Sequence, residues 1–313
     1  MLKLTGKILL FLGLNVLLLG ILLGFMNRQV EKHDFNNWTT EANLLHIPAD
    51  KNFDLLILGT SHARSLARAR NHLRMEKILG RDIINLSQGL GGGGLLNQFA
   101  FLKYFYKQDN TADTIVYFID PFVFYNPYFD SKDELYVYEP ARFGFFSVLL
   151  NLGFDPGVIY TYLYSKFTER WLGHHPFSWK SESSQIENIN AVSVFKRYNV
   201  VYPNDLDEEV FRDKSALFER ITAYIDKKQN HNLIFVVPPG LIEWPGHDNM
   251  ISLLKEIKIQ YGIPYYDFSD SMKELEYYKD HDHLNTKGVE YFTRNYLKPL
   301  FEEPSKTPPH NHQ

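Results

Sequence analysis

The chain has 313 residues, 44% hydrophobic and 15% aromatic, a profile of one large folded domain or two small ones and not of a disordered or collagen-like chain. Its 33 Lys and Arg against 37 Asp and Glu leave a formal charge of −4 with no long basic run, so nothing supports counterion-driven nucleic-acid binding. The absence of cysteine rules out disulfides, thiolate metal sites, cysteine nucleophiles and cysteine-linked lipids.

Ile8 to Met26 is an uncharged run with one polar side chain, Asn15. At about 1.5 Å per residue it reaches roughly 28 Å, close to the thickness of a bilayer's hydrocarbon core. Lys3 and Lys7 precede it, so the positive-inside rule keeps the short N-terminus in the cytoplasm. A cleaved signal peptide is the alternative, but the run is long for one and no A-x-A-like site follows it. The expectation is an uncleaved signal anchor over 1–27, a single-pass protein of the cytoplasmic membrane, and a C-terminal domain in the periplasm or outside the cell. Residues 28–51 are polar and suit a tether.

From residue 52 to about 300 the pattern is that of an α/β domain. Phe53 to Gly59 reads as a buried parallel strand, and His62 to Leu79 as a helix. Asp82 to Ser87 is a second strand, followed by glycines at 89 and 91–94 and a helix over 95–107. Thr114 to Ile119 gives a third strand, closed by Asp120-Pro121. A helix over 207–228 with apolar positions at Val210, Phe211, Leu217, Ile221 and Ile225 precedes a fourth strand at 233–237. A helix over 248–261, a fifth strand at 264–268 and a closing helix over 286–297 complete the series. Strands alternating with helices predict a three-layer α/β/α sandwich with a five-stranded parallel sheet and its site at the strands' carboxyl ends. Residues 122–206 break the rhythm and are rich in aromatics, as expected of an insertion forming a lid or subdomain. The tail over 301–313 reads as disordered.

Two loops carry chemistry. Ser61, in Gly59-Thr60-Ser61-His62-Ala63, follows the first strand at the start of a helix, where backbone N–H groups can stabilise an oxyanion. A serine there also serves as an ordinary helix cap. Near the other end, Asp280 precedes His283 by three residues in Asp280-His281-Asp282-His283-Leu284-Asn285. A carboxylate at that spacing can accept the Nδ1–H of the histidine and leave Nε2 free to take a proton from a serine. A solvated surface turn would also explain it, but a strand-end serine and a strand-end Asp-x-x-His in one sheet coincide less readily by chance.

Gly59-Thr60-Ser61-His62 and Asp280-x-x-His283-Leu284-Asn285 with Gly288 resemble the first and last blocks of the SGNH (GDSL-like) hydrolase superfamily. The resemblance covers about 52–120 and 232–297. It implies the flavodoxin-like fold of that family, with Ser61 as nucleophile, His283 as general base and Asp280 orienting the base. The oxyanion donors it implies are the Ser61 N–H and a glycine N–H after the second strand, Gly89 or Gly91. The family's third-block asparagine is missing, since Ile119-Asp120-Pro121-Phe122 stands there, and Asn126 is the nearby substitute. That departure, with the anchor, resembles the membrane-anchored branch that works beside membrane-bound O-acyltransferases in alginate and peptidoglycan O-acetylation and teichoic-acid D-alanylation. The branch implies an exported serine O-acyltransferase or esterase acting on acyl esters of an envelope polysaccharide, without cofactor or metal, and a membrane-bound O-acyltransferase as partner.

Other readings compete. An α/β-hydrolase would place several strands before its nucleophile and separate its acid from its histidine. A metal site could draw on Asp280-His281-Asp282-His283, with His247-Asp248 or His174-His175, but alternating residues of an extended loop diverge. A phosphate loop at Gly89–Gly94 lacks the Gly-Lys-Ser/Thr that should follow. A non-catalytic carbohydrate-binding or scaffolding partner of a membrane acyltransferase stays open, with Trp171, Trp179 and Tyr128 as sugar-stacking candidates against plain core packing.

Overall fold

The computed structural model describes residues 2–34, 44–89, 93–131, 135–137, 139–167, 184–229 and 232–302. In chain order these form α1 (Leu2–Asp34), β1 (Asn52–Leu58), α2 (Ser61–Ser65), α3 (Asn71–Leu79), β2 (Ile83–Asn85), α4 (Leu95–Lys107) and β3 (Thr111–Phe118). Then come α5 (Phe143–Leu152), α6 (Pro156–Ser165), α7 (Ala191–Val201), α8 (Glu208–Gln229), β4 (Leu233–Val237), α9 (His247–Tyr261), β5 (Tyr265–Asp267), α10 (Thr286–Phe292) and α11 (Lys298–Glu302). The chain divides into two compact units. One comprises Met1–Lys51, Gly91–Thr111 and Pro127–Ser178; the other comprises Asn52–Leu90, Ala112–Asn126 and Trp179–Gln313 and holds the sheet.

The sheet has five parallel strands in the order β2-β1-β3-β4-β5, as the alternation of strands and helices predicts. Successive side chains on a strand point to opposite faces, and here both faces are covered, which is why the strands read as nearly continuous apolar runs. Leu55, Ile57, Val116, Phe118 and Val236 pack on one face against Met75 of α3 and Val289 and Phe292 of α10. On the opposite face Tyr117 packs edge-on and Phe235 tilted against Phe218 of α8. Complete burial of a side chain such as Phe235 or Phe292 contributes about 1.5–3 kcal/mol, so this double layer fixes where the strands end.

The helix expected over 62–79 is broken. Ala69 and Arg70 are left-handed, and Asn71 Nδ2 donates to the Ser65 carbonyl at 2.9 Å while His72 Nδ1 meets the Ala67 carbonyl at 3.1 Å. Side chains here take over carbonyls that a continuous helix would have bonded. The closing helix is longer than expected: α10 passes through a π-helical turn at Thr293–Leu297 into α11, so residues 301 and 302 of the expected tail are helical. The remainder of the tail lies outside the described residues.

Residues 35–43 of the expected tether over 28–51 lie outside the described residues, and the stretches on either side of them are structured. α1 runs on to Asp34, and Leu44 and Leu45 are fully buried with their N–H groups donating to the two carboxylate oxygens of Glu139 at 3.1 and 3.0 Å. Within α1, Lys3–Met26 is long and apolar enough to cross a membrane, and none of that stretch is buried in the protein. The expected insertion is divided too. Pro127–Ser178 belongs to the unit that holds α1, whereas α7 belongs to the sheet unit.

Candidate active site

β1 and β3 are neighbours, yet the chain leaves β1 for β2 on one side and goes to β4 and β5 on the other. At such a reversal the loops after the two strands diverge and leave a crevice. Gly59 opens the loop after β1 with φ +144°, and a Cβ there would lie 2.8 Å from both Ala63 Cβ and the Phe118 carbonyl oxygen. Only glycine permits that backbone and that approach of β1 to β3. The turn delivers Thr60, Ser61 and His62 to the crevice, opposite Asp120 at the end of β3.

A buried chain of charges follows. Thr60 Oγ1 donates to Asp120 Oδ2, and His62 Nδ1 lies 2.5 Å from Asp120 Oδ1. His62 Nε2 is 3.0 Å from Asp282 Oδ1, which also accepts from Trp244 Nε1 at 3.1 Å. Arg197 Nε donates to Asp282 Oδ2 at 3.1 Å, and its guanidinium lies over the Phe122 ring at 6.0 Å. Both nitrogens of His62 face carboxylates, so both carry protons and the ring is an imidazolium. Burial opposes that charge, but Asp120 and Asp282 outweigh it and raise the pKa to about 10. Burial likewise opposes the charge on Asp282, and the cations His62 and Arg197 hold it far below the usual carboxylate range. Two carboxylates, one imidazolium and one guanidinium thus balance.

The second element is the loop between β5 and α10. A bridge between Tyr278 and Leu284 closes it, with Lys279 N–H donating to the His283 carbonyl at 3.0 Å. Asn285 locks the exit: its Oδ1 accepts from Gly288 N–H at 2.9 Å, and its Nδ2 donates to the Glu276 carbonyl at 2.8 Å. Asp280 Oδ1 accepts the backbone N–H groups of Asp282 and His283 at 2.8 and 2.7 Å. His283 Nδ1 sits 3.0 and 3.1 Å from the two Asp280 oxygens. Burial raises the Asp280 pKa, but these bonds, led by that to His283, bring it down to about 2. The His283 pKa is lowered, chiefly by burial, so near neutral pH Nδ1 carries the proton and Nε2 carries a lone pair.

Ser61 is half-buried at the mouth of the crevice. Its hydroxyl accepts from Arg197 Nη2 at 3.4 Å and is not hydrogen-bonded to His283. The His283 ring lies 5.1 Å from the His62 ring, the neighbour of Ser61. Gly89 faces the serine, since a Cβ added there would be 3.8 Å from Ser61 Cβ. Gly91 lies outside the described residues, as do Trp171, Trp179, His174 and His175. Asn126 does not fill the place of the missing asparagine: it is buried, and its Nδ2 donates to the carbonyls of Val200 and Val201 at 2.9 and 3.2 Å. Both of its donor hydrogens are thereby used in fastening α7. Tyr128 belongs to the other unit.

His62, Asp282 and His283 offer atoms within 4.8 Å of one another, the spacing of a metal site. The donor set does not suit a cation. His62 has both nitrogens on carboxylates, Asp282 accepts from His62, Trp244 and Arg197, and a metal would lie against two resident positive charges. His247 is engaged elsewhere, 3.0 Å from Asp267. An open cavity of about 420 Å³ lies beside the Asp280–His283 pair, walled by Ile186, Asn188, Asn190, Ser193, Arg197 and Lys279. Ser61, a charged donor and a neutral imidazole with a free Nε2 therefore lie at one sheet edge, with a cavity beside Arg197 and His283. Comparison with protein-family models and with curated proteins finds no match for the chain.

Sequence reasoning missed His62, Asp120, Asp282, Trp244 and Arg197 as parts of this site. His62 and Asp120 did carry a signal, since both stand at carboxyl ends of parallel strands. Asp282 was visible only as a metal candidate, and its 220-residue separation from His62 hides the pairing. Nothing in the sequence around Arg197 marks it.

Proposed function

We propose that the chain is a membrane-anchored serine O-acyltransferase or esterase of the SGNH type, acting on acyl esters of a cell-envelope polysaccharide. What carries this reading is the Asp280–His283 pair, held at 3.0 Å on the same sheet edge as Ser61. Ser61 Oγ attacks an acyl carbonyl as its proton passes to His283 Nε2, and Asp280 stabilises the resulting imidazolium. The oxyanion is received by the N–H groups of Ser61 and Gly89 and by Arg197 Nη2, which gives up its contact with Ser61 as the tetrahedral intermediate forms. Arg197, clamped by Asp282, takes the part that a side-chain amide plays in the family. His283 returns its proton to the leaving oxygen, leaving an acyl-serine. A sugar hydroxyl, or water, then attacks with His283 again as base. The Ser61–His283 hydrogen bond forms as substrate binds and the site tightens.

The location follows from α1 as the membrane span, with Lys3 and Lys7 holding the N-terminus inside and the sheet unit facing the envelope. The anchored branch adds a membrane-bound O-acyltransferase as the supplier of acyl groups. One observation favours the alternative, a non-catalytic carbohydrate-binding or scaffolding partner: Ser61 bonds Arg197 and not the base. The full chain in detergent, incubated with p-nitrophenyl acetate and weighed intact, separates the two. The enzyme reading expects an acetyl adduct on Ser61 that Ser61→Ala and His283→Ala abolish. No adduct and no turnover in a folded protein would leave the scaffolding role.

A further inference from the structure

We infer that α5 and α6 form a membrane-docking face that lies in the interface of the same bilayer that α1 spans. Each helix has two apolar stripes. α5 buries Phe145, Val148 and Leu149 and exposes Phe143 and Leu150, with Phe146 partly exposed between them. α6 buries Val158 and Tyr162 and exposes Tyr160, Leu163 and Tyr164, with Phe167 next on the same stripe. A surface helix ordinarily buries one such stripe and turns charge to water. Here the outward stripes are aromatic, Phe143 is 85% and Tyr160 65% exposed, and Asp155 is the one charge between residues 143 and 165. The Phe143 and Phe146 rings lie 6.4 Å apart, and Tyr160 stacks on Tyr164 at 5.6 Å. Tyrosine and phenylalanine on an uncharged face suit the boundary between head groups and acyl chains.

The entry of the anchor into this unit points to the bilayer as the occupant. The backbone arriving from α1 is clamped at Leu44 and Leu45, whose N–H groups donate to Glu139, while Arg142 Nε donates to the Leu45 carbonyl at 3.2 Å. Arg142 immediately precedes Phe143, so the chain from the membrane is fastened at the start of the exposed stripe. Covalent geometry sets the reach. From Met26 the helix adds about 12 Å to Asp34, and the residues to Leu44 add at most about 35 Å. The face is thus confined to within about 50 Å of the membrane surface at every moment, and docking involves no search through solution.

The inference rests on α1 spanning a bilayer and is independent of the Ser61 chemistry. It is tested on the full chain in nanodiscs of phosphatidylcholine and phosphatidylglycerol. Because the chain has no cysteine, single reporters are clean: Phe143→Cys and Tyr160→Cys for the face, Leu17→Cys for the anchor and Arg212→Cys on the sheet unit, each carrying a polarity-sensitive dye. Lipids spin-labelled near the head group should quench the emission at 143 and 160 well below that of the same dye at 212, with a blue shift at both face positions. Lipids labelled near the tail end should quench position 17, which checks the span separately. Quenching at 17 with 143 and 160 matching 212 overturns the inference. So does a blue shift at 143 and 160 without lipid quenching, which would mean that protein covers the face. A reporter at Leu163 supplies a second reading, which should lose its quenching when Phe143→Glu and Tyr160→Glu are added.

Discussion

Replacing Asp282 by asparagine tests the buried charge chain directly. Asp282 is 2% exposed and accepts from His62 and Trp244 on one oxygen and from Arg197 on the other. Asparagine has one acceptor and one donor end, so in either orientation its NH₂ faces a donor: the His62 and Trp244 pair, or Arg197. The substitution also leaves the buried His62 imidazolium with one carboxylate, Asp120, and the part-buried Arg197 without its ion-pair partner. Breaking a buried pair by removing one partner costs about 3–5 kcal/mol, equivalent to roughly 6–10 °C of melting temperature in a chain of this size. Urea unfolding of the full chain in detergent micelles, followed by tryptophan fluorescence and circular dichroism, reads it, because Trp244 donates to the residue replaced. The pH dependence supplies a second number. His62 has its pKa raised from 6.5 to about 10 on folding, so its contribution is complete below about 6.5 and disappears as the pH rises through 10. The linkage has an upper bound of about 5 kcal/mol, and Asp282→Asn should shrink the alkaline loss. A stability change under about 1 kcal/mol, with an unchanged alkaline slope, would refute the paired-charge account.

Other outcomes are expected of the same protein. The rate of acyl-adduct formation should rise with pH along one acid limb centred below 6.5 and then stay flat to beyond pH 8, because His283 acts neutral and its pKa is lowered; an acid limb centred above 7 would count against His283 as base. Asp280→Asn should slow adduct formation by about 10³–10⁴-fold, through loss of the orienting acceptor at Nδ1, with little change in melting temperature. Arg197→Gln should cost about 10²-fold in that rate, and unchanged kinetics would remove Arg197 from the oxyanion site. Gly59→Ala should destabilise by about 2–4 kcal/mol in urea titration, since the added Cβ meets Ala63 and Phe118 and the backbone at φ +144° excludes it.

The sheet was legible because strands buried on both faces must be apolar throughout, and glycine, aspartate or proline stops them where they leave the core. The Asp280–His283 pair was legible because three residues across a single turn suffice to bring the groups together. His62 with Asp282 could not be read in that way: their contact depends on the order of strands and the return of the chain after β5. Arg197 was hidden by composition, since an aromatic-rich stretch that interrupts a regular pattern invites one reading as a lid, while α7 packs with the sheet unit. The place of Asn126 was not legible because a buried amide takes the nearest carbonyls, here Val200 and Val201. The far end of the expected tether is fastened because a polar stretch can hold two buried leucines when a remote carboxylate, Glu139, receives their backbone N–H groups.

The closed loop from Tyr278 to Leu284 has a mechanical consequence. Asp280, Asp282 and His283 ride on one short ring of chain fastened at its neck by the Tyr278–Leu284 bridge and by Asn285. His283, the carboxylate bonded to it and the counter-charge for His62 and Arg197 are therefore displaced together and not singly. A single-residue insertion or deletion inside the ring dislocates all three at once, whereas the same lesion outside the neck leaves their mutual spacing intact. Changes of length in this protein divide accordingly: within the ring they scatter the whole set in one step, and beyond it they re-aim a preassembled cartridge.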